Sequence, residues 1–321
     1  MVEGEQKITQ DVAYIFPGQG AQYVGMGKDL YDAYPVCKEI FDKANQILKF
    51  DLTKLCFEGP KEDLTITSNS QVAILTHSIA ALKALETNPL PDLQYIPKFA
   101  LGLSLGEYSA LIASGCLSFE EGLRLVRKRG EFMDMAAKKN PGKMVSIIGM
   151  SVQDVEGLCK GIGSCEIANI NCPGQVVVSG KATNIELLAG LAKDKGAKRA
   201  ILLDVSGAFH SDLMTPAKDK LEKEIENVEF KAPIYPIISN VTAKPTQDPT
   251  EIKQNLIKQV NSRTLFEASI RYVMDQGIKT YIEAGPGTVL KGLLRKIDKS
   301  LQVINIEKAE HLKPLQQEPQ A

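Results

Sequence analysis

Three features of this 321-residue chain predict an α/β protein with a mainly parallel sheet. Short apolar runs of strand length alternate with stretches of helical periodicity. The first run, VAYIF at 12–16, stops at Pro17-Gly18, as a buried strand does on entering a turn. Within 143–205 the order changes to strand, helix, strand, strand, helix, strand, a βαββαβ unit of ferredoxin-like type set inside the larger pattern.

The first strand, 12–16, shows no polar alternation, which suits the middle of a parallel sheet covered on both faces. A helical run over 71–86, QVAILTHSIAALKALE, precedes a second strand, FALGL at 99–103. Ser118-Phe119-Glu120-Glu121 forms a capping box that starts a helix over 119–139. The inserted unit then reads KMVSIIG, VQDVEGLCK, CEIANIN, QVVVSG, NIELLAGLAKDK and AKRAILLDV. A third main strand follows at 234–239, a helix at 250–260, a strand at 279–284, a helix at 288–297 and a last strand at 301–306. The main domain is therefore expected to be discontinuous, 1–140 and 207–307, around an inserted subdomain at 141–206. A cleft between the two is the default place for a site. The tail 308–321, KAEHLKPLQQEPQA, has no periodicity and is expected to be disordered.

Composition removes several function classes. With 38 basic and 39 acidic side chains, the formal charge is −1, which argues against a nucleic-acid partner. No apolar run approaches the roughly 18–20 residues needed to span a bilayer, so no membrane partner is expected. The N-terminus, MVEGEQKITQ, is polar and acidic and has neither a secretory nor a transit pattern. The six cysteines include no CxxC pair and no neighbouring histidine, so no metal site is expected. Scattered thiols of this kind point to reduced, buried cysteines in a reducing compartment, cytoplasm or plastid stroma.

Gly102-Leu103-Ser104-Leu105-Gly106 is a GxSxG sequence between a strand and a helix-compatible run, the setting of a nucleophile elbow. The Leu105 N–H, at the start of the new helix, would point at a developing oxyanion. The alternative is an ordinary serine on a glycine-lined turn. A serine nucleophile needs a base, and the chain has only three histidines. His311 falls in the tail, and His77 lies inside a helical run, where a packed or surface role fits better. His210, in SGAFHSDLM where the inserted unit returns to the main domain, is the best base, against a bland reading as a polar loop residue. The glycine-rich turn FPGQGAQYVGMGKD follows the first strand. It fails as a P-loop because Gln22 stands where glycine is needed, and as a dinucleotide fingerprint because Tyr23 does. Its exposed N–H groups, most naturally that of Gln19, remain available as a second oxyanion donor. Arg129 lies on the apolar stripe made by Leu125, Val126, Phe132 and Met133. A guanidinium there needs either an acidic structural partner or a substrate carboxylate.

These segments together, with ANINCPGQVVVSG, the Gln259 helix and EAGPGTVL, resemble the malonyl-CoA:acyl carrier protein transacylases and related acyltransferase domains. The resemblance runs from about residue 12 to residue 306. It implies an α/β-hydrolase-like domain with a ferredoxin-like subdomain. It implies a malonyl ester on Ser104, His210 as base, Gln19 and Leu105 amides on the oxyanion, and Arg129 on the malonyl carboxylate. The phosphopantetheine thiol of acyl carrier protein would then attack the ester, giving ping-pong transfer that supplies type II fatty acid synthesis, with no cofactor and in a monomer. A backbone carbonyl beside Gln259 would orient His210; Leu256 and Ile252 precede Gln259 at spacings that turn it inward. Phe209 matches the pattern of malonyl-selective members, its ring filling space that a branched extender needs.

Three departures from the family pattern stand out. Leu103 replaces a histidine common in bacterial members, a form closer to cyanobacterial and plastid enzymes. Asn261-Ser262-Arg263 replaces a proline-containing turn, and Phe266 stands where tryptophan is frequent. Two rivals remain. A serine hydrolase or thioesterase on this architecture usually places its histidine near the C-terminus, unlike His210. A non-catalytic module that docks carrier protein would not need Ser104, His210 and Arg129 together.

Overall fold

The computed structural model describes residues 9–90 and 93–312. The strands are β1 (Gln10–Phe16), β2 (Tyr95–Gly102), β3 (Gly142–Ile148), β4 (Cys165–Cys172), β5 (Gln175–Lys181) and β6 (Arg199–Leu202). They continue with β7 (Ile237–Ile238), β8 (Pro245–Thr246), β9 (Thr280–Ala284) and β10 (Gln302–Ile306). The larger sheet runs β10-β9-β1-β2-β7-β8 and is parallel except for the final β7–β8 pair. The smaller sheet, β4-β5-β3-β6, is antiparallel throughout.

β1 carries the reason for burial on both faces. Val12, Tyr14 and Phe16 enter one apolar cluster, and Ala13 and Ile15 enter another on the opposite side. This is the two-residue alternation of a strand with no wet face. Helices Pro35–Leu48, Thr67–Thr87, Phe119–Lys139 and Thr215–Glu226 pack into the first cluster. Phe266–Asp275 and Val289–Ile297 pack into the second. Thr67–Thr87 is buried nearly all round, so its polar residues Gln71, Thr76 and His77 are interior groups. The helix expected at 71–86 therefore begins four residues earlier, at Thr67.

The third cluster lies between the antiparallel sheet and its own helices, Val152–Ile162 and Ala182–Asp194. Segment 262–265 joins the two sheets. The Thr264 N–H donates to Ala168 O at 2.8 Å and the Ile170 N–H donates to Thr264 O at 2.9 Å, pairing Thr264 with Asn169.

Three expectations need correction. The strand at 234–239 shrinks to Ile237–Ile238, because Pro233 and Pro236 have no N–H to donate and Ile234 is exposed. The run AKRAILLDV holds only a four-residue strand, Arg199–Leu202, on the edge of its sheet. The tail at 308–321 is ordered at its start: Ala309–Leu312 forms a 3-10 turn, with Leu312 buried and the Ala309 N–H donating to Asp29 Oδ2 at 2.8 Å. Residues 313–321 lie outside the described residues.

Candidate active site

The C-terminal ends of β1 and β2 deliver two turns side by side, since Phe16 pairs with Gly102 in register. The Leu103 N–H donates to Phe16 O at 3.0 Å. A Cβ on Gly18 would collide with Leu103 O, and one on Gly106 would collide with Phe16 O. Glycine at both positions is what lets the turns approach so closely.

Ser104 sits at φ 54° and His210 at φ 57°, left-handed conformations costing non-glycine residues about 1–3 kcal/mol each. Hydrogen bonds hold both in place. The Ser104 N–H donates to Asn240 Oδ1 at 2.6 Å, and Asn240 Nδ2 donates to Gly102 O at 2.7 Å. Ser179 Oγ donates to Phe209 O at 2.5 Å beside His210.

Ser104 Oγ and His210 Nε2 are 2.8 Å apart. On its other side, His210 Nδ1 faces Gln259 O at 2.8 Å and Ser262 O at 3.2 Å. Carbonyls only accept, so Nδ1 carries the proton and Nε2 presents its lone pair to the Ser104 hydroxyl. His210 is pushed down to about 4, first by burial and then by the positive charge of Arg129, which leaves it neutral and able to accept a proton at neutral pH.

Arg129 is 1% exposed. Its Nη1 donates to Gln71 Oε1 at 2.7 Å, and its Nη2 donates to Gln259 Oε1 at 3.0 Å and to Ser104 Oγ at 2.9 Å. Among the described residues it makes no salt bridge, and its Nε–H has no acceptor. Burial lowers its pKa, opposed by Tyr108 and Glu107. Two neutral glutamine carbonyls therefore fix the guanidinium without neutralising it. Of the two readings open for this residue, a structural pair with an acid is not what the geometry offers.

A cleft of about 140 Å³ opens on Ser104 and His210, with Gln19, Met133, Val177 and Phe209 in its lining. Gln19, Leu203 and Val205 also border a second hollow of about 680 Å³, lined further by Tyr23 and Lys61. Leu105 begins the helix Gly106–Ala113 and is fully buried. The N–H groups of Gln19 and Leu105 donate to no protein acceptor among the described residues. Gln259 lies at the end of helix Pro249–Gln259, is fully buried and bonds Arg129, Ser104 and Glu107.

Of the residues singled out in the sequence, Ser104, His210, Gln19 and Phe209 line one cleft, and Arg129 and Gln259 lie buried behind it, Arg129 bonded to Ser104 and Gln259 to both Ser104 and His210. The other histidines stand apart. His77 is fully buried and packed, pushed down to about 4 by burial, and His311 Nδ1 accepts the N–H groups of Glu307 and Lys308. All six cysteines are free and buried. Among the described residues no cluster of three or more His, Cys, Asp or Glu could hold a metal ion, and no helix is long and apolar enough to cross a membrane. Three functional neighbours escaped sequence reasoning: Gln71, Glu107 and Asn240. For Gln71 and Glu107 the available signal was polarity inside apolar helices, as in LGEYSALIA and QVAILTHSIAALKAL; Asn240, in the turn after β7, offered none.

Comparison with known proteins gives the family. The acyl transferase domain family model matches residues 13–320. The malonyl CoA-acyl carrier protein transacylase of Bacillus subtilis strain 168 is 44% identical over 303 residues, covering 93% of this chain and 94% of that protein. The enzyme of the same name from Staphylococcus aureus strain MRSA252 is 42% identical over 305 residues, covering 94% and 97%. The crystal structure of the acyl-carrier-protein-S-malonyltransferase from Bartonella henselae has a TM-score of 0.89 at 38% identity, covering 95% of this chain and 97% of that one. A malonyl-transacylase in complex with its type II PKS acyl carrier protein has a TM-score of 0.90 at 35% identity, covering 95% and 98%. The chain is an enzyme of the acyl transferase domain family, and the relatives it matches within that family are malonyl-CoA:acyl carrier protein transacylases.

Proposed function

We propose that the protein moves the malonyl group from malonyl-CoA to the phosphopantetheine thiol of acyl carrier protein, by way of an ester on Ser104. One observation carries the choice of acyl group. Arg129 is a buried cation held by Gln71 and Gln259 beside Ser104 Oγ, with an unused N–H and no salt-bridge partner among the described residues. A malonyl thioester brings the missing anion, and an acetyl thioester does not.

His210 Nε2 takes the Ser104 proton as Oγ attacks the thioester carbonyl. The Gln19 and Leu105 N–H groups receive the oxyanion, each such donor being worth about 10²–10³ in rate. Collapse breaks the carbon–sulfur bond, and His210 returns its proton to the departing coenzyme A sulfur. Carrier-protein thiol then enters, loses its proton to His210 and takes the acyl group, which restores the Ser104 hydroxyl. The Gln259 and Ser262 carbonyls do the orienting work of a triad carboxylate without adding a charge. The second hollow is of the right kind for the long thioester arm, and Phe209 narrows the acyl end against branched groups.

We also read the main unit, 1–140 with 207–307, as α/β-hydrolase-like and 141–206 as ferredoxin-like. The strand order β4-β5-β3-β6 with two crossover helices supports the second reading. We read the protein as a monomer that needs no cofactor, and the bacterial relatives fit a cytoplasmic setting.

Intact-mass measurement after mixing with malonyl-CoA tests the proposal. One malonyl adduct on Ser104, absent in Ser104→Ala and discharged by holo carrier protein, is expected. No adduct, with carrier and thioester shown to be active, would overturn it; release of free malonate in place of transfer would favour a hydrolase.

A further inference from the structure

Among the described residues Glu107 is the acidic side chain buried against Gln259 and Asn240, and the transfer chemistry gives it no task. It is 2% exposed and follows Gly106 at the start of helix Gly106–Ala113. Its Oε2 accepts from Gln259 Nε2 at 2.6 Å and from the Asn240 N–H at 3.3 Å. Both partners touch the centre directly. Gln259 Nε2 also donates to Ser104 O at 3.0 Å, while Gln259 Oε1 accepts from Arg129 Nη2 at 3.0 Å. Asn240 Oδ1 accepts the Ser104 N–H that keeps the turn in its left-handed conformation.

We propose that Glu107 is a positioning residue for malonyl selection: its carboxyl oxygen fixes the orientation of the Gln259 amide, and through it the aim of Arg129. The inference rests on the malonyl-transfer reading above. An amide can present either its oxygen or its NH2 to a neighbour. Turned over, Gln259 would face the guanidinium with a second set of donors and would set its oxygen against Ser104 O and Glu107 Oε2. Two acceptors on one side, Ser104 O and Glu107 Oε2, select the observed orientation. Glu107 is the acceptor of the two that can be altered by substitution. With it gone, Arg129 loses its anchored acceptor and the fork that meets the malonyl carboxylate is no longer held in one place. A buried hydrogen bond to a charged group is worth about tenfold to a hundredfold.

The geometry assigns Glu107 the part of an acceptor, not of a counter-ion, and three variants separate the two. Glu107→Gln keeps an acceptor of the same reach and drops the charge. Glu107→Asp keeps the charge and withdraws the oxygen by one methylene. Glu107→Leu removes both. Single-turnover acylation of Ser104 is followed by intact mass with malonyl-CoA and with acetyl-CoA, and thermal unfolding is recorded for each variant. The malonyl-to-acetyl rate ratio is expected to stay within about threefold of wild type in Glu107→Gln and to fall about tenfold or more in Glu107→Asp and Glu107→Leu. A scaffolding role would slow both thioesters alike and leave the ratio unchanged, which overturns the proposal. A ratio kept by Glu107→Asp and lost by Glu107→Gln overturns it in favour of a buried charge. Should Glu107→Leu fail to fold, the glutamine and aspartate pair still decides. Failure of the wild-type protein to take malonyl at all would refute the transfer reading itself, a result distinct from a malonylated wild type with indifferent variants.

Discussion

Replacing Arg129 by alanine perturbs the substrate and its rivals unequally, and the size of the inequality follows from the contacts. Arg129 is buried, its forked end is held by Gln71 and Gln259, and Nη2 lies 2.9 Å from Ser104 Oγ. A malonyl carboxylate placed there would form a desolvated, charge-assisted pair. Removing one partner of such a pair costs about 2–5 kcal/mol. At about 1.4 kcal/mol per factor of ten, malonylation of Ser104 should slow by about thirtyfold to several-thousandfold. Acetyl-CoA has no carboxylate and forfeits only the charge-assisted contact to Ser104 Oγ, about tenfold or somewhat more, which malonyl-CoA forfeits as well. The assay is the time course of Ser104 acylation by each thioester at matched concentrations, with unfolding curves to confirm the fold. Arg129→Lys keeps the charge without the fork and should fall between wild type and alanine. Equal slowing of malonyl and acetyl transfer by Arg129→Ala would refute the reasoning and make the arginine a purely structural group.

Phe209→Ala should raise methylmalonyl acylation relative to malonyl by about tenfold or more, since one methyl in a pocket is worth about 1–3 kcal/mol; an unchanged ratio would remove Phe209 from substrate choice. Acid stability gives a further check. His77 and His210 are each held near 4 by burial, so between about 4 and 6.5 the unfolded chain binds their protons and the folded chain does not, and stability is lost as pH falls through that window. Glu107 and Glu283 are each pushed up to about 7 by burial and act in the opposite sense, losing stability as pH rises from about 4.5 to 7. His77→Leu should lower the slope of denaturant stability against pH between 4.5 and 6.5 by about 1.4 kcal/mol per pH unit relative to wild type; an unchanged slope would show that His77 is not held neutral.

Much of the fold was legible because the strands of a parallel sheet announce themselves. VAYIF and FALGL are uninterrupted apolar segments, the runs at 279–284 and 301–306 are apolar with a few polar residues between, and each lies within or overlaps an observed strand. The edge strands were harder to read. Two-residue strands such as Pro245–Thr246 carry no pattern, and Pro236 breaks the one beside β2. At the site, Ser104, His210 and Arg129 declared themselves through local context: glycines around a turn, a domain junction and a charge on an apolar stripe. Gln71, Asn240 and Glu107 act through partners that are far away in sequence, with separations of 58 residues for Gln71 to Arg129 and 133 for Asn240 to Glu107. Periodicity reports that such a residue is buried and is silent about what it faces.

The pairing of Thr264 with β4 bears on how the His210 imidazole is held. Segment 262–265 hangs on the small sheet through Ala168 and Ile170, and two residues earlier Ser262 O touches His210. A clamshell motion of the small unit would tug the segment that holds the imidazole. The imidazole and the small sheet are thus mechanically linked, so a displacement of one is felt as a change of register in the other.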